Sequence, residues 1–240
     1  MIIEGKNAVR EALDGEKTVE KIVVIKGYTD STVAMLVAKA KEQRLRVDYV
    51  DKKALERLSA EGRHQGIIAY VTDFVYSEVE EIISVAKEKN SPSLIVVLDG
   101  IEDPHNLGSI IRAAECMGAD GIIIPSRRAA SVNETVVKTS SGATQYVKVA
   151  RVTNINDVIR TLKERFIKII ALDLDGEPIE GLSLQEDIAL VIGGEGEGVK
   201  RLTRDLSDSI AKIPMHGKIA SMNASVAAGI ALYECRRQRG

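Results

Sequence analysis

Apolar and polar positions alternate along the chain in blocks that predict helices and strands in turn. The first third predicts three helices and three strands: helices at 7–13, about 30–43 and 51–58, and strands at 21–25, 46–50 and 67–71. Such an alternation is typical of a compact α/β unit that can fold alone. The pattern breaks at 72–77, so we place a domain boundary there, with a first domain at 1–73 and a linker at 74–91.

From residue 92 the alternation restarts and predicts a second α/β domain over 92–240. Its expected strands are 94–98, 121–124, 145–149, 168–172, 188–192 and 210–213, and its expected helices are 106–117, 132–139, 154–165, 201–206 and about 223–238. A helix at 78–89 either opens this domain or extends the linker. Apolar strands alternating with helices predict a mostly parallel sheet covered on both faces.

Polar, glycine-bearing motifs follow three of these strands, after Leu98, Ile192 and Ile213. In open sheets of parallel strands, ligands bind beyond the carboxyl ends of the strands. The three motifs therefore predict a ligand site at that edge of the second sheet.

Composition bounds the class of protein without naming a function. The chain has 240 residues, of which 45% are hydrophobic and 28% charged, with a net charge of −2. No apolar run reaches the length of a bilayer span and no signal peptide is evident, so we expect a cytoplasmic protein without a membrane partner. Two cysteines, Cys116 and Cys235, make no disulfide framework and are expected to be buried thiols.

The motif GGEGEG at 193–198 first suggests a dinucleotide site. Its glycines are spaced GxGxG rather than GxGxxG, and Glu195 and Glu197 would repel a pyrophosphate. A nucleotide-dependent oxidoreductase is therefore disfavoured, while a plain glycine-rich turn remains open.

The motif at 99–117 contains Asn106 and Arg112 within a predicted amphipathic helix. Asn106 is explained as well by a helix cap as by a functional role, and His105 is best explained as a loop residue. Arg112 is harder to explain structurally, because a cation among apolar and small residues requires an anion, from the protein or from a phosphate.

The motif at 213–234 places Ser221 and Asn223 before the last helix, where N-capping is the ordinary explanation. Small residues, Ala224, Ala227, Ala228 and Gly229, leave one face of that helix almost bare. A bare face permits close approach by another helix of the same chain or of a partner subunit.

Together the three motifs resemble the signatures of the SpoU family of RNA ribose 2′-O-methyltransferases, within the SPOUT superfamily. The matching segments are 98–117 (N-x-x-x-x-x-R), 191–199 (GGEGEGV) and 213–234 (IPMHGKIASMNASVAAGIALYE). The N-terminal unit, with GKNAVREAL at its start and HQGIIA at its end, resembles the small substrate-binding domain of the bacterial 23S rRNA guanosine 2′-O-methyltransferase.

The resemblance implies a C-terminal α/β domain with a deep trefoil knot and an obligate homodimer formed through it. It implies S-adenosylmethionine as methyl donor, S-adenosylhomocysteine as product, no metal, and a guanosine of ribosomal RNA as substrate. Glycines where one chain segment must pass close to another are compatible with a knot, although physical priors disfavour knots.

The resemblance also implies roles for individual residues. The catalytic set would be Arg112, Asn106, Glu195, Ser221 and Asn223. The cofactor would be held at Gly193, Gly194, Ile213, Met222, Ala143 and Thr144. For RNA contacts we expect Arg127, Arg128, Arg63, His64, Lys6 and Asn7, although each is explained equally well as a solvated surface residue. With no tryptophan and two phenylalanines, base stacking is not the obvious mode of RNA contact.

Two alternatives remain besides the oxidoreductase. The same chemistry on transfer RNA is the nearest, because the assignment to ribosomal RNA rests on analogy at the level of the fold. A non-catalytic RNA-binding protein is the other, and the intact set of Asn106, Arg112, Glu195 and Asn223 argues against it.

Overall fold

The structure is a computed structural model that describes residues 1–15, 18–59, 62–89, 91–219 and 221–240. It divides into two compact units, Met1–Val75 and Tyr76–Gly240. No helix in these ranges is both long and apolar enough to cross a membrane.

The first unit is a four-stranded sheet with helices. Its elements are β1 (Ile2–Glu4), α1 (Lys6–Asp14), β2 (Thr18–Ile25), α2 (Ser31–Glu42), β3 (Arg46–Val50), α3 (Lys52–Leu58) and β4 (Ile67–Thr72). The strand order is β1-β4-β2-β3, and only the β2–β3 pair is parallel. The sequence did not predict β1, because a three-residue strand carries no periodic signal.

The second unit carries the longer alternation. Its elements are α4 (Val79–Glu88), β5 (Leu94–Asp99), α5 (Pro104–Cys116), β6 (Gly121–Pro125), α6 (Glu134–Thr139), β7 (Lys148–Val152), α7 (Ile155–Glu164), β8 (Lys168–Pro178), β9 (Ile188–Gly193), α8 (Arg201–Leu206), β10 (Ser209–Lys212) and α9 (Ala224–Arg239). The strand order is β10-β8-β9-β5-β6-β7, and each of these neighbouring pairs is parallel. The predicted α/β class with a mostly parallel sheet is confirmed.

Strands β5 and β9 form the centre of this sheet and are buried on both faces. On one face Ile95 and Ala189, and on the other Val96 and Leu190, are all fully inaccessible. A continuous apolar strand is expected where helices cover both sides of a sheet. Helix α4, predicted either as linker or as the start of the second domain, contributes to the core of the second unit through two buried isoleucines, Ile82 and Ile83.

Several boundaries in the second unit differ from the prediction, β8 for example running to Pro178 and not ending at 172. Two of the differences have a clear local reason. Asn106 does not cap α5: Asp103 accepts the His105 N–H at 3.0 Å, and Pro104 occupies the first turn, where its missing N–H costs nothing. The strand predicted at 145–149 begins only at Lys148. Gly142, with φ of 84°, turns the chain into a short 3₁₀ helix at Ala143–Gln145.

Glycines allow the chain segments at the carboxyl edge of the sheet to touch. A Cβ on Gly193 would lie 2.0 Å from the carbonyl carbon of Gly198, and one on Gly194 would lie 2.2 Å from the carbonyl oxygen of Gly100. Such contacts are what close passage of one segment against another requires. The knot itself stays a prediction.

The two cysteines differ in exposure. Cys235 is buried in α9, as predicted, whereas Cys116 is exposed at the end of α5. The prediction of a buried Cys116 is wrong, because Cys116 lies in the last turn of the helix, past its apolar stripe. Burial raises the pKa of the Cys235 thiol to about 11.

This difference predicts selective alkylation. Iodoacetamide at neutral pH should modify Cys116 in the folded protein and leave Cys235 unmodified, because only a thiolate that is exposed to solvent reacts. Peptide mapping by mass spectrometry measures both sites. Unfolding the protein in guanidinium chloride serves as the control, and both thiols should then react; equal labelling in the folded protein would contradict the placement of Cys235.

Candidate active site

The carboxyl ends of β5 and β9 meet, and this brings two of the motifs together. Asp99 at the end of β5 pairs with Gly193 at the end of β9, and the Gly194 N–H donates to the Asp99 carbonyl at 3.2 Å. The buried Asp99 carboxylate accepts the Lys200 backbone N–H at 3.0 Å and the Lys200 ammonium at 2.6 Å. The glycine-rich loop 193–198 is therefore fastened at both ends.

One residue from each motif joins in a hydrogen-bonded cluster. The Asn106 Nδ2 group donates to Glu195 Oε1 at 2.8 Å, and the Asn223 Nδ2 group donates to Asn106 Oδ1 at 2.9 Å and to Glu195 Oε1 at 3.0 Å. We call Asn106, Glu195 and Asn223 the amide–carboxylate cluster. Glu195 Oε2 has no hydrogen bond to the residues that the structure describes, so this oxygen is available to a ligand.

Both amides are held in place by the elements that carry them. Asn106 is 6% exposed and lies in the first turn of α5. Asn223 Oδ1 accepts the N–H groups of Ser225 and Val226 and so caps α9, which leaves its Nδ2 group to face the cluster. The Asn223 side chain thus both caps α9 and belongs to the cluster.

A first cavity of about 510 Å³ lies beside the cluster. It is walled by the middle of β8, the carboxyl end of β9, the glycine-rich loop and the segment that leads into α9. Its lining includes Leu172, Asp173, Ile192, Gly193, Gly194, Glu195, Ile213, Met215, Ser221, Met222 and Asn223.

The first cavity fits S-adenosylmethionine in size and chemistry. Its volume lies in the range of cavities that bind small molecules. Apolar side chains and glycine backbone provide flat walls for an adenine ring. Two carboxylates, those of Glu195 and Glu197, oppose the positive charges of the sulfonium and ammonium groups. The carboxylate of Asp173 is paired with Arg204 at 3.0 Å.

A second cavity of about 520 Å³ lies on the other side of the glycine-rich loop. Its lining includes Asp99, Gly100, Glu102, Asp103, Asn106, Arg128 and Lys200. Four residues, Gly194, Glu195, Glu197 and Gly198, line both cavities. The loop is therefore a thin wall between two compartments, with the amide–carboxylate cluster set in it.

The structure brings together most of the residues expected to hold the cofactor. Gly193, Gly194, Ile213 and Met222 line the first cavity, as does the catalytic candidate Ser221. Ala143 and Thr144 line neither cavity described here: both are buried in the 3₁₀ helix that packs beside α5 and β7.

Arg112 lies outside the cluster of its own chain. It follows Asn106 by six residues on α5, about one and two-thirds turns, and so faces another side of the helix. Its side chain is exposed and makes no hydrogen bond or ion pair with the described part of the chain. A single chain therefore carries the cluster and the arginine on separate surfaces.

The RNA-binding candidates fall into two groups, one in each unit. In the first unit, Gly5 and Lys6 lie beside residues 63–67, with the Lys6 N–H donating to Gln65 Oε1 at 3.1 Å. Arg63 and Asn7 are exposed there, and the Nδ1 atom of His64 accepts the Gly66 N–H at 3.0 Å. The Lys6 ammonium is bound by Asp30, whose carboxylate raises its pKa.

In the second unit, Arg127 and Arg128 are exposed after β6. Arg128 lines the second cavity and has a positive φ of 51°, which is uncommon for a residue with a side chain. Sequence reasoning missed the site residues Asp173 and Lys200. Asp173 directly follows the apolar run 168–172, so the rule that ligands bind at carboxyl ends of strands could have indicated it.

Two models of known protein families match the chain. Residues 93–233 are matched by the model of the SpoU rRNA methylase family. Residues 2–77 are matched by the model described as RNA 2′-O ribose methyltransferase substrate binding. The chain belongs to the SpoU family. The expected membership is confirmed and covers both units.

Relatives of similar length support the same family. YacO of Bacillus subtilis, provisionally described as a TrmH-family tRNA/rRNA methyltransferase, is 40% identical over 98% of this chain and 94% of its own length. A protein of Staphylococcus haemolyticus with the same provisional description is 41% identical over 100% of this chain and 96% of its own.

Two solved structures share the fold of this SpoU chain. AviRb of Streptomyces viridochromogenes, a SpoU methyltransferase, is 25% identical over 100% of this chain and 89% of its own, with a TM-score of 0.64. An S-adenosylmethionine-bound rRNA methyltransferase of Sinorhizobium meliloti is 25% identical over 98% and 86%, with a TM-score of 0.60. The chain is thus an RNA 2′-O-ribose methyltransferase of the SpoU/TrmH family.

Proposed function

We propose that this enzyme transfers a methyl group from S-adenosylmethionine to the 2′-hydroxyl of a guanosine in 23S ribosomal RNA. The observation that carries the proposal is the amide–carboxylate cluster, set in the wall between a cavity that fits the methyl donor and a cavity open to a second substrate. The match of residues 2–77 to a substrate-binding family supports a structured RNA as the acceptor. Transfer RNA is the second candidate, because YacO is described with both classes.

The first cavity is the proposed site of the methyl donor, and we call it the donor cavity. Gly193, Gly194, Ile213 and Met222 would hold it through backbone groups and apolar contact. When bound, the donor supplies an electrophilic methyl group on a positively charged sulfur. The carboxylates of Glu195 and Glu197 would balance that charge, and loss of the charge during transfer favours release of the neutral product.

The residues of the chain must align a weak nucleophile and handle its proton. The ribose 2′-oxygen forms the new bond to the methyl carbon as the carbon–sulfur bond breaks, and the hydroxyl proton leaves to a phosphate oxygen or to water. Glu195 Oε2 would orient the ribose or Arg112, while Asn106 and Asn223 hold the other oxygen of the carboxylate. Ser221 lines the donor cavity and would complete the site.

Arg112 is proposed to grip the phosphate of the target and to stabilise the developing alkoxide. A guanidinium stays protonated at neutral pH, so it acts as a cation and not as a base. Because its side chain faces away from the cluster of its own chain, we propose that a homodimer delivers it to the partner's cluster. Val226, Ile230 and Tyr233 leave an exposed apolar stripe at helical spacing on α9, which suits such an interface.

RNA from a host strain that lacks the gene provides the direct test. Purified protein is incubated with tritiated S-adenosylmethionine and separated 23S, 16S and transfer RNA, and labelled RNA is digested to nucleosides for mass spectrometry. We expect label in 23S RNA as 2′-O-methylguanosine. RNA from the undeleted strain is the control and should accept little, since its target is already methylated.

The outcomes test the reaction, the class of RNA and the target nucleoside separately. Label that enters transfer RNA alone would overturn the assignment to ribosomal RNA and leave the chemistry intact. A different methylated nucleoside would overturn the assignment to guanosine. If no RNA from the deletion strain accepts a methyl group, the proposed catalytic function of these residues fails.

A further inference from the structure

We propose that the second cavity holds the acceptor nucleotide and that Glu102 selects guanine there by accepting hydrogen bonds from its N1–H and N2–H groups. This inference rests on the proposed function, because it assigns the second substrate of the same site. It names a specificity-determining residue that lies outside the cluster and outside the donor cavity.

The position of the second cavity identifies its occupant. Methyl transfer requires the acceptor oxygen next to the sulfonium methyl group, and the two cavities are separated only by the glycine-rich loop. Asn106 lines only the second cavity, Asn223 only the first, and Glu195 lines both. The cluster therefore runs from the donor side to the acceptor side, and a volume of about 520 Å³ admits one nucleotide.

The two cations that line the second cavity, Lys200 and Arg128, differ in whether a carboxylate of the protein already balances their charge. The Lys200 ammonium is bound to the buried Asp99 carboxylate at 2.6 Å, so its charge is largely balanced within the protein. Arg128 is exposed and shows no ion pair with the described residues. Arg128 is therefore the cation on this wall that a nucleotide phosphate can engage.

The carboxylates that line the second cavity are mostly occupied. Asp99 binds Lys200 through both oxygens, Asp103 caps α5, and Glu195 Oε1 holds two amides. Glu102 and Glu197 show no hydrogen bond among the residues that the structure describes, and Glu197 also lines the donor cavity. Glu102 lines the second cavity but not the donor cavity, and its side chain is exposed.

An available carboxylate favours one base over the others. Guanine presents two adjacent N–H groups on its Watson–Crick edge, which match the two oxygens of a carboxylate. Adenine and cytosine present an amino group beside an acceptor, and uracil presents one N–H between two carbonyls, so each of them places an acceptor against Glu102. The pairing with guanine is bidentate and charge-assisted, and such pairs are the strong ones.

The test uses Glu102→Gln and a matched pair of RNAs. Two synthetic fragments contain the mapped target, one with guanosine and one with inosine, which lacks only the N2 amino group. For the wild-type protein we expect kcat/KM to fall about tenfold from guanosine to inosine. For the variant we expect about a 10- to 100-fold loss on guanosine, as for a bidentate base contact, and little difference between the two RNAs.

Two controls keep the result interpretable. Glu164→Gln changes an exposed glutamate that lines neither cavity and should leave both rates unchanged. Calorimetric binding of S-adenosylmethionine to Glu102→Gln should equal that of the wild type and shows that the variant is folded. A variant that retains the wild-type preference for guanosine over inosine would overturn the inference while methylation stands, as would a natural target other than guanosine.

Discussion

Replacing Arg112 with alanine should lower methyl transfer by about 10²- to 10³-fold and leave S-adenosylmethionine binding nearly unchanged. The loss follows from removing a fixed positive charge beside the developing alkoxide. Binding should persist because Arg112 does not line the donor cavity, and its exposed side chain contributes little to the free energy of unfolding. Transfer kinetics with tritiated donor and calorimetric titration measure the two quantities separately.

A mixed dimer tests whether Arg112 acts across subunits. One chain carries Arg112→Ala and keeps its cluster, while the other carries Glu195→Ala and keeps its arginine. If each site combines the cluster of one subunit with the arginine of the other, the heterodimer contains one intact site of two and recovers about half of the wild-type rate. No recovery in a heterodimer purified through two different tags would place the action of Arg112 within one chain, and wild-type turnover in the Arg112→Ala homodimer would remove its role altogether.

Replacing Gly193 with alanine should lower the free energy of unfolding of the second unit by about 3 kcal/mol or more and abolish binding of the methyl donor. The added Cβ would lie 2.0 Å from the carbonyl carbon of Gly198 and 2.2 Å from the Val199 nitrogen. These are backbone atoms, so no side-chain rotation relieves the clash, and the loop that walls the donor cavity must move. Urea denaturation and calorimetry measure the two effects.

Two other glycines provide graded controls for Gly193→Ala. Gly196 has open space around it but a φ of 89°, so alanine there should cost about 1–2 kcal/mol through backbone strain alone. Gly217 has neither a neighbour within 4 Å nor a left-handed backbone, and alanine there should change stability by less than about 0.5 kcal/mol. Equal stabilities for all three variants would show that the loop is not constrained by the close approach.

Periodicity in the sequence is sufficient to predict most of the elements and the class of the fold. The apolar runs at 94–98 and 188–192 are strands, and a continuous apolar run of five residues is what a strand between two helical layers requires. Periodicity does not report which strands are neighbours. That β5 and β9 pair, 94 residues apart at Leu94 and Ile188, is a long-range packing result that no local pattern encodes.

Only some residues of the site could likewise be predicted from the sequence. The resemblance grouped Asn106, Glu195 and Asn223, and the structure joins their side chains by hydrogen bonds, although each residue alone had an ordinary explanation. The resemblance also assigns Arg112 to the site, and that assignment stays a prediction: six residues along the helix put Arg112 on another side of α5 from Asn106, so a partner subunit would have to supply it. Glu102 carried no signal at all, because its interest depends on a cavity wall formed by a loop more than 90 residues away.

The hydrogen bond between Asn106 and Asn223 joins residues that are 117 positions apart. During synthesis, α5 leaves the ribosome long before the segment that leads into α9 exists. The donor cavity is lined by residues between Leu172 and Ala227, so a nascent chain that ends before the segment leading into α9 lacks part of its wall. Contacts of such long range also form slowly. We therefore expect a partly synthesised chain, although ribosomal RNA surrounds it, to be unable to retain the methyl donor or to modify that RNA.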